Sequence, residues 1–185
     1  MNIYDFDKTI YDGDSTAAFI KYCAARYPRA FVTAIPTLGA FIKYIARRYT
    51  KTQFKERMYA FLRYIPDVDS EVEAFWDCHE GNILEYYKKQ KRADDIIISA
   101  SPEFLLIPIC KRLGVKRLIA SRVDKHTGKY TGENCWGEEK VRRLSEKYGI
   151  DHCDKFYSDS KSDTPLAEIA DEAFIVCHND LKPWT

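Results

Sequence analysis

The sequence of 185 residues has almost no net charge, no long apolar run and no internal repeat. Its 29 lysines and arginines nearly balance 28 aspartates and glutamates, so no overall field would draw it to nucleic acid or acidic lipid. The longest uncharged segment, residues 30–42, is shorter than the roughly 20 apolar residues that cross a bilayer. With 45% hydrophobic and 31% charged residues, the composition instead predicts one globular domain and excludes disordered, collagen-like and membrane-bundle proteins.

Paired cysteines and a secretory signal are also missing. None of the six cysteines forms a C-x-x-C motif, which argues against a zinc knuckle or a thioredoxin-like redox pair. The N-terminal residues have neither the basic nor the apolar region of a signal peptide. We therefore expect a cytoplasmic, reducing location.

Two kinds of periodicity divide the chain. Residues 1–6 alternate as in a β-strand and run into the turn signal of residues 12–14. From residue 15 to about residue 90 the apolar pattern is helical and predicts no strand. The helices predicted in this part cover residues 17–22, 31–49, 54–62 and 68–87.

The rest of the chain alternates short apolar strands with helices. Strands are predicted at residues 94–101, 117–121, 154–158 and 173–177, helices at 104–113, 138–148 and 164–170, and a hairpin at 123–132. This order predicts an α/β fold with a parallel sheet and right-handed crossovers. We predict a core domain of residues 1–13 and 88–185, interrupted after its first strand by an all-helical cap of residues 14–87.

Two acidic pairs directly follow predicted strands. Asp5 and Asp7 come after the first strand, and Asp159 and Asp163 come after residues 154–158. Carboxylates held this close repel each other unless a cation or a shared proton relieves them, so one pair suggests a Mg²⁺ site or an acid/base dyad. Because both pairs should reach the same sheet edge, a site for a hard cation is favoured.

A hydroxyl and a lysine are expected at that edge as well. Ser99 lies near the end of the strand predicted at residues 94–101, and Lys140 opens the helix at 138–148. Together with a bound cation they would offer an anion a hydrogen bond and a fixed positive charge. Phosphoryl transfer requires these groups.

In this order the motifs resemble the haloacid dehalogenase superfamily of phosphohydrolases, and the resemblance covers nearly the whole chain. The matching motifs are Asp5-Phe6-Asp7-Lys8-Thr9, Ile96-Ile97-Ile98-Ser99, the isolated Lys140, and Asp159 with Asp163. The group that includes phosphoserine phosphatases is the most similar. The resemblance implies a Rossmann-like parallel-sheet core, with the helical insertion acting as its cap.

The resemblance also implies roles for the acidic residues. Asp5 would be the nucleophile that forms an aspartyl-phosphate, and Asp7 the acid that protonates the leaving oxygen and later the base that activates water. Mg²⁺ would be held by the carboxylates of Asp5 and Asp159 and the backbone carbonyl of Asp7, while Asp163 supports the site or orients the lysine.

Four further residues are implied to hold the phosphoryl group and its loop. Ser99 and Lys140 would bind the phosphoryl oxygens with help from the backbone amide of Ala100. Thr9 is placed with this phosphate-binding group and would brace the nucleophile loop.

Substrate recognition departs from the phosphoserine phosphatase pattern. Those enzymes generally have two glycines after the motif serine, whereas here Ala100-Ser101-Pro102 follows. This segment, together with Glu139-Lys140-Val141 and Tyr157-Ser158-Asp159-Ser160, is more similar to a branch that includes phosphatidylglycerophosphate phosphatases. Asp14 falls where phosphoserine phosphatases contact substrate, but it also suits the N-cap of a helix starting at Ser15.

The cap contains an uncharged stretch, residues 30–42, with basic residues on both sides. It is either the packing core of a helical hairpin or a segment that lies against the inner face of a membrane. The flanking residues are Arg26, Arg29, Lys43, Arg47 and Arg48.

Three functions follow from the motifs. The main hypothesis is a Mg²⁺-dependent hydrolase of a small or lipid-linked phosphate monoester. The alternatives are a phosphotransferase, in which an acceptor alcohol replaces water, and a non-catalytic module that binds a phosphorylated ligand.

Overall fold

A six-stranded sheet forms the centre of the protein. The computed structural model describes residues 1–185, and the side chains of residues 1–30 and 37–185. The strands are β1 (Asn2–Tyr4), β2 (Ile96–Pro102), β3 (Arg117–Ser121), β4 (Cys153–Ser158), β5 (Ala170–Cys177) and β6 (Asp180–Pro183). They lie in the order β3-β2-β1-β4-β5-β6, with every pairing parallel except that of β5 with β6. The predicted α/β class is confirmed.

The strand order places the site. The chain passes from β1 to β2 on one side and to β4 on the other, so the direction of winding reverses at β1. In open α/β sheets, ligands bind at such a reversal, in the crevice outside the carboxyl ends of the strands. Ile3 at the centre of β1 is in register with Ile96 of β2 and Phe156 of β4, and all three are fully buried. This apolar centre holds the three strand ends side by side.

In the described part of the chain, only helices and turns lie between β1 and β2. They are α1 (Ser15–Arg26), α2 (Ala34–Ile45), α3 (Lys51–Met58), α4 (Val68–His79) and α5 (Glu85–Gln90), with 3₁₀ turns at Pro28–Thr33, Tyr59–Tyr64 and Glu80–Asn82. The later helices are α6 (Glu103–Arg112), α7 (Glu138–Tyr148) and α8 (Thr164–Ala167), preceded by a 3₁₀ turn at Lys161–Asp163. No helix among the described residues is long and apolar enough to cross a membrane.

The helix predicted over residues 68–87 is broken in the structure. Residues Ile83 and Leu84 are extended, and the Leu84 amide donates to the carbonyl oxygen of Ile10 at 2.8 Å. The Asp12 amide likewise donates to Asn82 at 2.9 Å. The backbone groups of the loop after β1 thus find their partners in this segment, and a continuous helix would leave them without these bonds.

Other boundaries also differ from the sequence prediction. The hairpin predicted at 123–132 is present in short form, with one antiparallel bridge from Val123 to Tyr130, and the Asp124 side chain accepts the amides of residues 126 and 127 in its turn. Helix α8 is shorter than predicted, since the chain already enters β5 at Ala170. Strand β6 was not predicted, because its four residues are exposed and polar apart from Leu181 and Pro183. Proline is tolerated there because β6 is an edge strand.

Aromatic side chains join the helices of the insertion to the sheet. Trp76 of α4 is fully buried and its indole Nε1 donates to the carbonyl of Leu105 in α6 at 2.7 Å. The indole meets Phe6 edge-on, with ring centroids 5.9 Å apart. Phe6 lies between the two acidic residues that follow β1, so this cluster fixes the backbone from which Asp5 and Asp7 project.

Candidate active site

A cavity of about 530 Å³ lies over the carboxyl ends of β1, β2 and β4. Asp5 follows β1, Ser99 lies within β2, and Asp159 follows β4. The structure brings eight of the nine predicted site residues to this cavity: Asp5, Asp7, Asp14, Ser99, Ala100, Lys140, Asp159 and Asp163. The exception is Thr9.

Lys140 is the electrostatic centre of the site. Its Nζ atom donates to Asp5 Oδ1 and to Asp163 Oδ2, both at 2.8 Å, and only 2% of its surface is exposed. Burial alone would lower the pKa of Lys140, but the two carboxylates raise it above its usual value. Ser158 Oγ also donates to Asp163 Oδ2 at 2.8 Å. The ammonium is therefore a fixed positive charge that aims Asp5 into the cavity.

Negative charge is nevertheless in excess. Burial raises the pKa of Asp5 to about 7, with the charge of Asp163 adding to the effect and Lys140 opposing it. Burial also raises the pKa of Asp159. Asp163 Oδ1 is buried and has no hydrogen-bond partner among the residues whose side chains are described. Lys140 contacts Asp5 and Asp163 directly, whereas the charges of Lys8 and Lys140 only partly offset the effect of burial on Asp159.

Asp7 lies in a different environment from Asp5. Its Oδ1 accepts the Ser15 amide at 2.7 Å, and Ser101 Oγ donates to its Oδ2. Burial, followed by the charge of Asp14, raises the pKa of Asp7 despite these bonds. Burial therefore favours the protonated carboxyl, the form that a proton donor needs.

Ser101 is a site residue that sequence analysis missed. Its hydroxyl donates to Asp7 Oδ2 and lies 3.0 Å from Thr16 Oγ1. Its amide donates to Ser99 Oγ at 3.1 Å. The departure from a Gly-Gly pattern after Ser99 was the only signal in the sequence. In the structure, the serine at this position donates a hydrogen bond to Asp7.

Thr9 lies behind the cavity. It is fully buried, its Oγ1 accepts the Asp159 amide at 3.0 Å, and its carbonyl accepts the Tyr86 hydroxyl at 2.6 Å. The side chain therefore ties the loop after β1 to the loop after β4. The hydroxyl of Thr9 thus faces the protein, and Thr9 does not line the cavity.

Asp14 caps a helix at the edge of the cavity. Its Oδ1 accepts the Ala17 amide at 2.8 Å in the first turn of α1, so the capping interpretation of this residue is observed directly. A contact between Asp14 and substrate stays a prediction.

Two lysines of α3 reach the cavity from the helical insertion. Lys55 Nζ donates to the carbonyl of Ala100 at 3.0 Å and to Asn134 Oδ1 at 3.2 Å, and burial lowers its pKa to about 8. Lys51 Nζ lies 4.5 Å from the centre of the Trp136 ring, and burial lowers its pKa too. Sequence analysis missed both, because only the fold shows that these two positions, one helical turn apart, face the sheet.

The donor set suits a hard cation, although the described residues contain no cluster of three or more acidic, histidine or cysteine side chains arranged to hold a metal. Lys140 Nζ lies 2.8 Å from Asp5 Oδ1 and 2.8 Å from Asp163 Oδ2. Carboxylate oxygens are what Mg²⁺ prefers, and the unpartnered Oδ1 of Asp163 together with the raised pKa of Asp159 shows where positive charge is lacking.

Comparison with known proteins agrees with this geometry. The chain is 38% identical over 91 residues to a probable phosphatase of Mycobacterium tuberculosis, covering 45% of this chain and 31% of that protein. It is 29% identical over 183 residues to protein CicA of Caulobacter vibrioides, covering 91% of this chain and 82% of CicA. A substrate-bound phosphoserine phosphatase structure shares the fold, with a TM-score of 0.56, 16% identity, and coverage of 93% and 83% of the two chains.

The fold and the site together define an α/β protein with a cavity at the switch point of its parallel sheet, lined by acidic residues. The family model of haloacid dehalogenase-like hydrolases matches residues 3–168. The chain belongs to this family, as the motifs around Asp5, Ser99, Lys140 and Asp159 predicted. The family match, together with relatives that are named as phosphatases, identifies the chain as a phosphatase.

Proposed function

We propose that the protein hydrolyses small or lipid-linked phosphate monoesters through an aspartyl-phosphate on Asp5, with Mg²⁺ as cofactor. The observation that carries the proposal is the Asp5 carboxylate at the end of β1, held through Oδ1 by the buried ammonium of Lys140. The second oxygen, Oδ2, is left for attack on phosphorus. The P–O bond to the leaving group breaks as the Asp5–phosphorus bond forms.

Asp7 moves the protons of both half-reactions. In the first, its carboxyl gives a proton to the departing ester oxygen. In the second, the resulting carboxylate takes a proton from the water that attacks phosphorus, so that Asp5 is released with inorganic phosphate and Asp7 is protonated again. The raised pKa of Asp7 and its anchoring by Ser15 and Ser101 support this role.

The phosphoryl oxygens face Ser99, Ala100 and Lys140. Because Ser99 Oγ already accepts the amide of Ser101, its own O–H is directed to a different acceptor and is available for a phosphoryl oxygen. Lys140 adds a permanent positive charge. These donors are in place before the reaction and need little reorganisation.

Mg²⁺ would be held by Asp5, Asp159 and the carbonyl of Asp7, with Asp163 in support. It would supply positive charge to the phosphoryl oxygens. We expect chelation with EDTA to abolish turnover of 4-nitrophenyl phosphate and excess Mg²⁺ to restore it. Mg²⁺ should also raise the Tm of the enzyme, because binding to the folded state stabilises it.

A substitution locates the cation. Asp159→Asn should raise the Mg²⁺ concentration needed for half-maximal activity and reduce the Tm shift, whereas Asp180→Asn on the exposed edge strand should change neither. Full activity after exhaustive chelation would contradict the Mg²⁺ proposal. An unchanged Mg²⁺ requirement in Asp159→Asn would remove that residue from the site.

We further propose that the leaving group carries a negative charge, such as a carboxylate or a phosphodiester. Lys55 uses two of its three N–H donors on Ala100 and Asn134, which leaves one for a ligand. Neither Lys55 nor Lys51 has an ion pair with a carboxylate in the described part of the chain, and both are desolvated. Two partly buried cations beside a phosphate site, neither in direct contact with a described carboxylate, favour an anionic substrate.

The pH dependence tests this preference. We expect the ratio of kcat/KM for phosphoglycolate to that for ethyl phosphate to fall as the pH rises through about 8, because Lys55 is charged below its pKa of about 8 and neutral above it. Taking the ratio cancels the ionisations that both substrates share. Lys55→Met should lower the ratio about tenfold or more, the value of a charged hydrogen bond.

The matched control for that series is Lys89→Met, an exposed lysine of α5 outside the cavity. A ratio that stays constant with pH, or that Lys55→Met does not change, would show that the leaving group is not recognised by charge.

For the location of the protein we propose a reducing compartment, in which the six thiols stay free.

A further inference from the structure

Positive charge is strongly segregated in this nearly neutral chain. Residues 15–55 contain no aspartate or glutamate, while the remainder has 28 acidic residues against 21 basic ones, the 29 of the whole chain less the eight found here. The eight basic residues are Lys21, Arg26, Arg29, Lys43, Arg47, Arg48, Lys51 and Lys55. The segment that forms α1, α2 and most of α3 thus has a local field that the net charge conceals.

Helix α2, within this segment, exposes an apolar stripe. The exposed fractions are 63% for Leu38, 44% for Phe41, 61% for Ile42 and 65% for Ile45. These positions follow the i, i+3, i+4, i+7 spacing of one helix face. Ala40, on the opposite side, is buried. A sequence of this spacing normally faces a core, so its exposure here calls for an external partner.

One edge of this stripe packs within the protein. Tyr44 stacks on Phe54 of α3 with ring centroids 5.5 Å apart, and Phe41 meets the same ring at 5.6 Å. Of the segment at residues 30–42, residues 31–36 have side chains outside the described part; within residues 37–42, Phe41 contacts α3 while Leu38 and Ile42 are exposed. One side packs on α3 and the other is open.

Basic residues lie at the C-terminal end of α2. Lys43 is on α2, and Arg47 and Arg48 follow at its C-terminal end, where the backbone turns through a left-handed Arg47 (φ 55°). All three are exposed, and none forms an ion pair with a described carboxylate. An apolar stripe that ends beside the two exposed cations Arg47 and Arg48 is typical of a helix that lies in a membrane interface and attracts anionic headgroups.

We propose that α2 docks the protein on an anionic lipid surface, inserting Leu38, Ile42 and Ile45 among the headgroups. A second copy of the chain fits this face less well, because in a symmetric dimer the same basic segment of each chain would face the other. Since α2 packs on α3, and α3 carries Lys51 and Lys55 into the cavity, docking would hold the cavity one helix away from the lipid surface.

Vesicle flotation tests the proposal without relying on catalysis. The protein should float with vesicles of phosphatidylcholine containing phosphatidylglycerol, should not float with phosphatidylcholine alone, and should be released by salt. Leu38→Ser/Ile42→Ser/Ile45→Ser should weaken binding about tenfold or more. Arg47→Gln/Arg48→Gln should weaken it about 25-fold, at about fivefold per charge removed. All five positions are exposed, so the folded structure is expected to survive.

Matched variants elsewhere provide the controls. Ile107→Ser removes an exposed isoleucine of α6, and Lys89→Gln/Lys116→Gln removes two exposed charges outside residues 15–55. Neither should change binding. Absence of flotation at low salt, or equal binding by the α2 variants, would overturn the proposal. So would a dimer in sedimentation analysis that dissociates in the α2 triple variant, because the face would then belong to a second copy.

Discussion

Asp5→Asn is expected to abolish turnover of 4-nitrophenyl phosphate, with a loss on the order of 10⁴-fold or more. The amide oxygen can still accept from Lys140, which also keeps Asp163 as its partner, but an amide does not attack phosphorus. The fold should therefore persist while the first chemical step is lost. Steady-state kinetics and the Tm of the variant measure the two effects separately.

The control for Asp5→Asn is Asp171→Asn, an exposed aspartate at the start of β5. Its activity and Tm should match those of the unsubstituted protein. Substantial activity in Asp5→Asn would show that Asp5 is not the nucleophile. Phosphate transfer from a labelled substrate to the unsubstituted protein, absent in Asp5→Asn, would identify the residue that is phosphorylated.

Asp7→Asn is expected to reduce turnover of ethyl phosphate by about 10²–10⁴-fold, because an alkoxide leaves poorly without a proton. 4-Nitrophenolate leaves well without one, so the first step on 4-nitrophenyl phosphate should survive. The second step lacks its base in either case. Rapid-mixing kinetics should therefore show a burst of nitrophenolate followed by slow turnover, since the aspartyl-phosphate accumulates.

Ser101→Ala should reproduce part of this effect. Without the hydroxyl that donates to Asp7 Oδ2, the carboxyl loses an anchor, and we expect about a tenfold lower kcat on ethyl phosphate and a smaller loss on 4-nitrophenyl phosphate. Ser145→Ala, on the exposed side of α7, should have no effect.

One result would contradict the role of Asp7. If Asp7→Asn loses equal activity on ethyl phosphate and 4-nitrophenyl phosphate and shows no burst, Asp7 is not the proton carrier.

The site could be predicted at the level of motifs because it follows strand ends. Ile96, Ile97 and Ile98 are buried on both faces of the sheet, so the sequence shows a continuous apolar run that stops at Ser99. The acidic pairs follow two other strands in the same way. Parallel strands end at one edge, and for this reason sequence order was enough to predict that Asp5 and Asp159 line the same cavity.

The finer arrangement could not be predicted, because it depends on contacts between distant segments. Ser101 meets Asp7 across 94 residues of chain, and Lys55 meets Ala100 across 45. No local pattern distinguishes these side chains from a solvated serine or lysine. The break at Ile83 has the same origin, since its backbone pairs with the loop after β1 rather than within a helix.

The sequence by itself determined the α/β class, the helical insertion and the identity of the acidic motifs, because apolar periodicity and strand-end carboxylates are local properties of the chain. Only the tertiary structure decided which groups those motifs meet. It turned Thr9 away from the cavity, placed Lys140 between Asp5 and Asp163, and left one side of α2 open. A nearly neutral sequence has no global field, but the fold gathers acidic side chains at one sheet edge and basic ones on the helices above it. Burial then strengthens the interactions between these charges, because the protein interior screens them far less than water does.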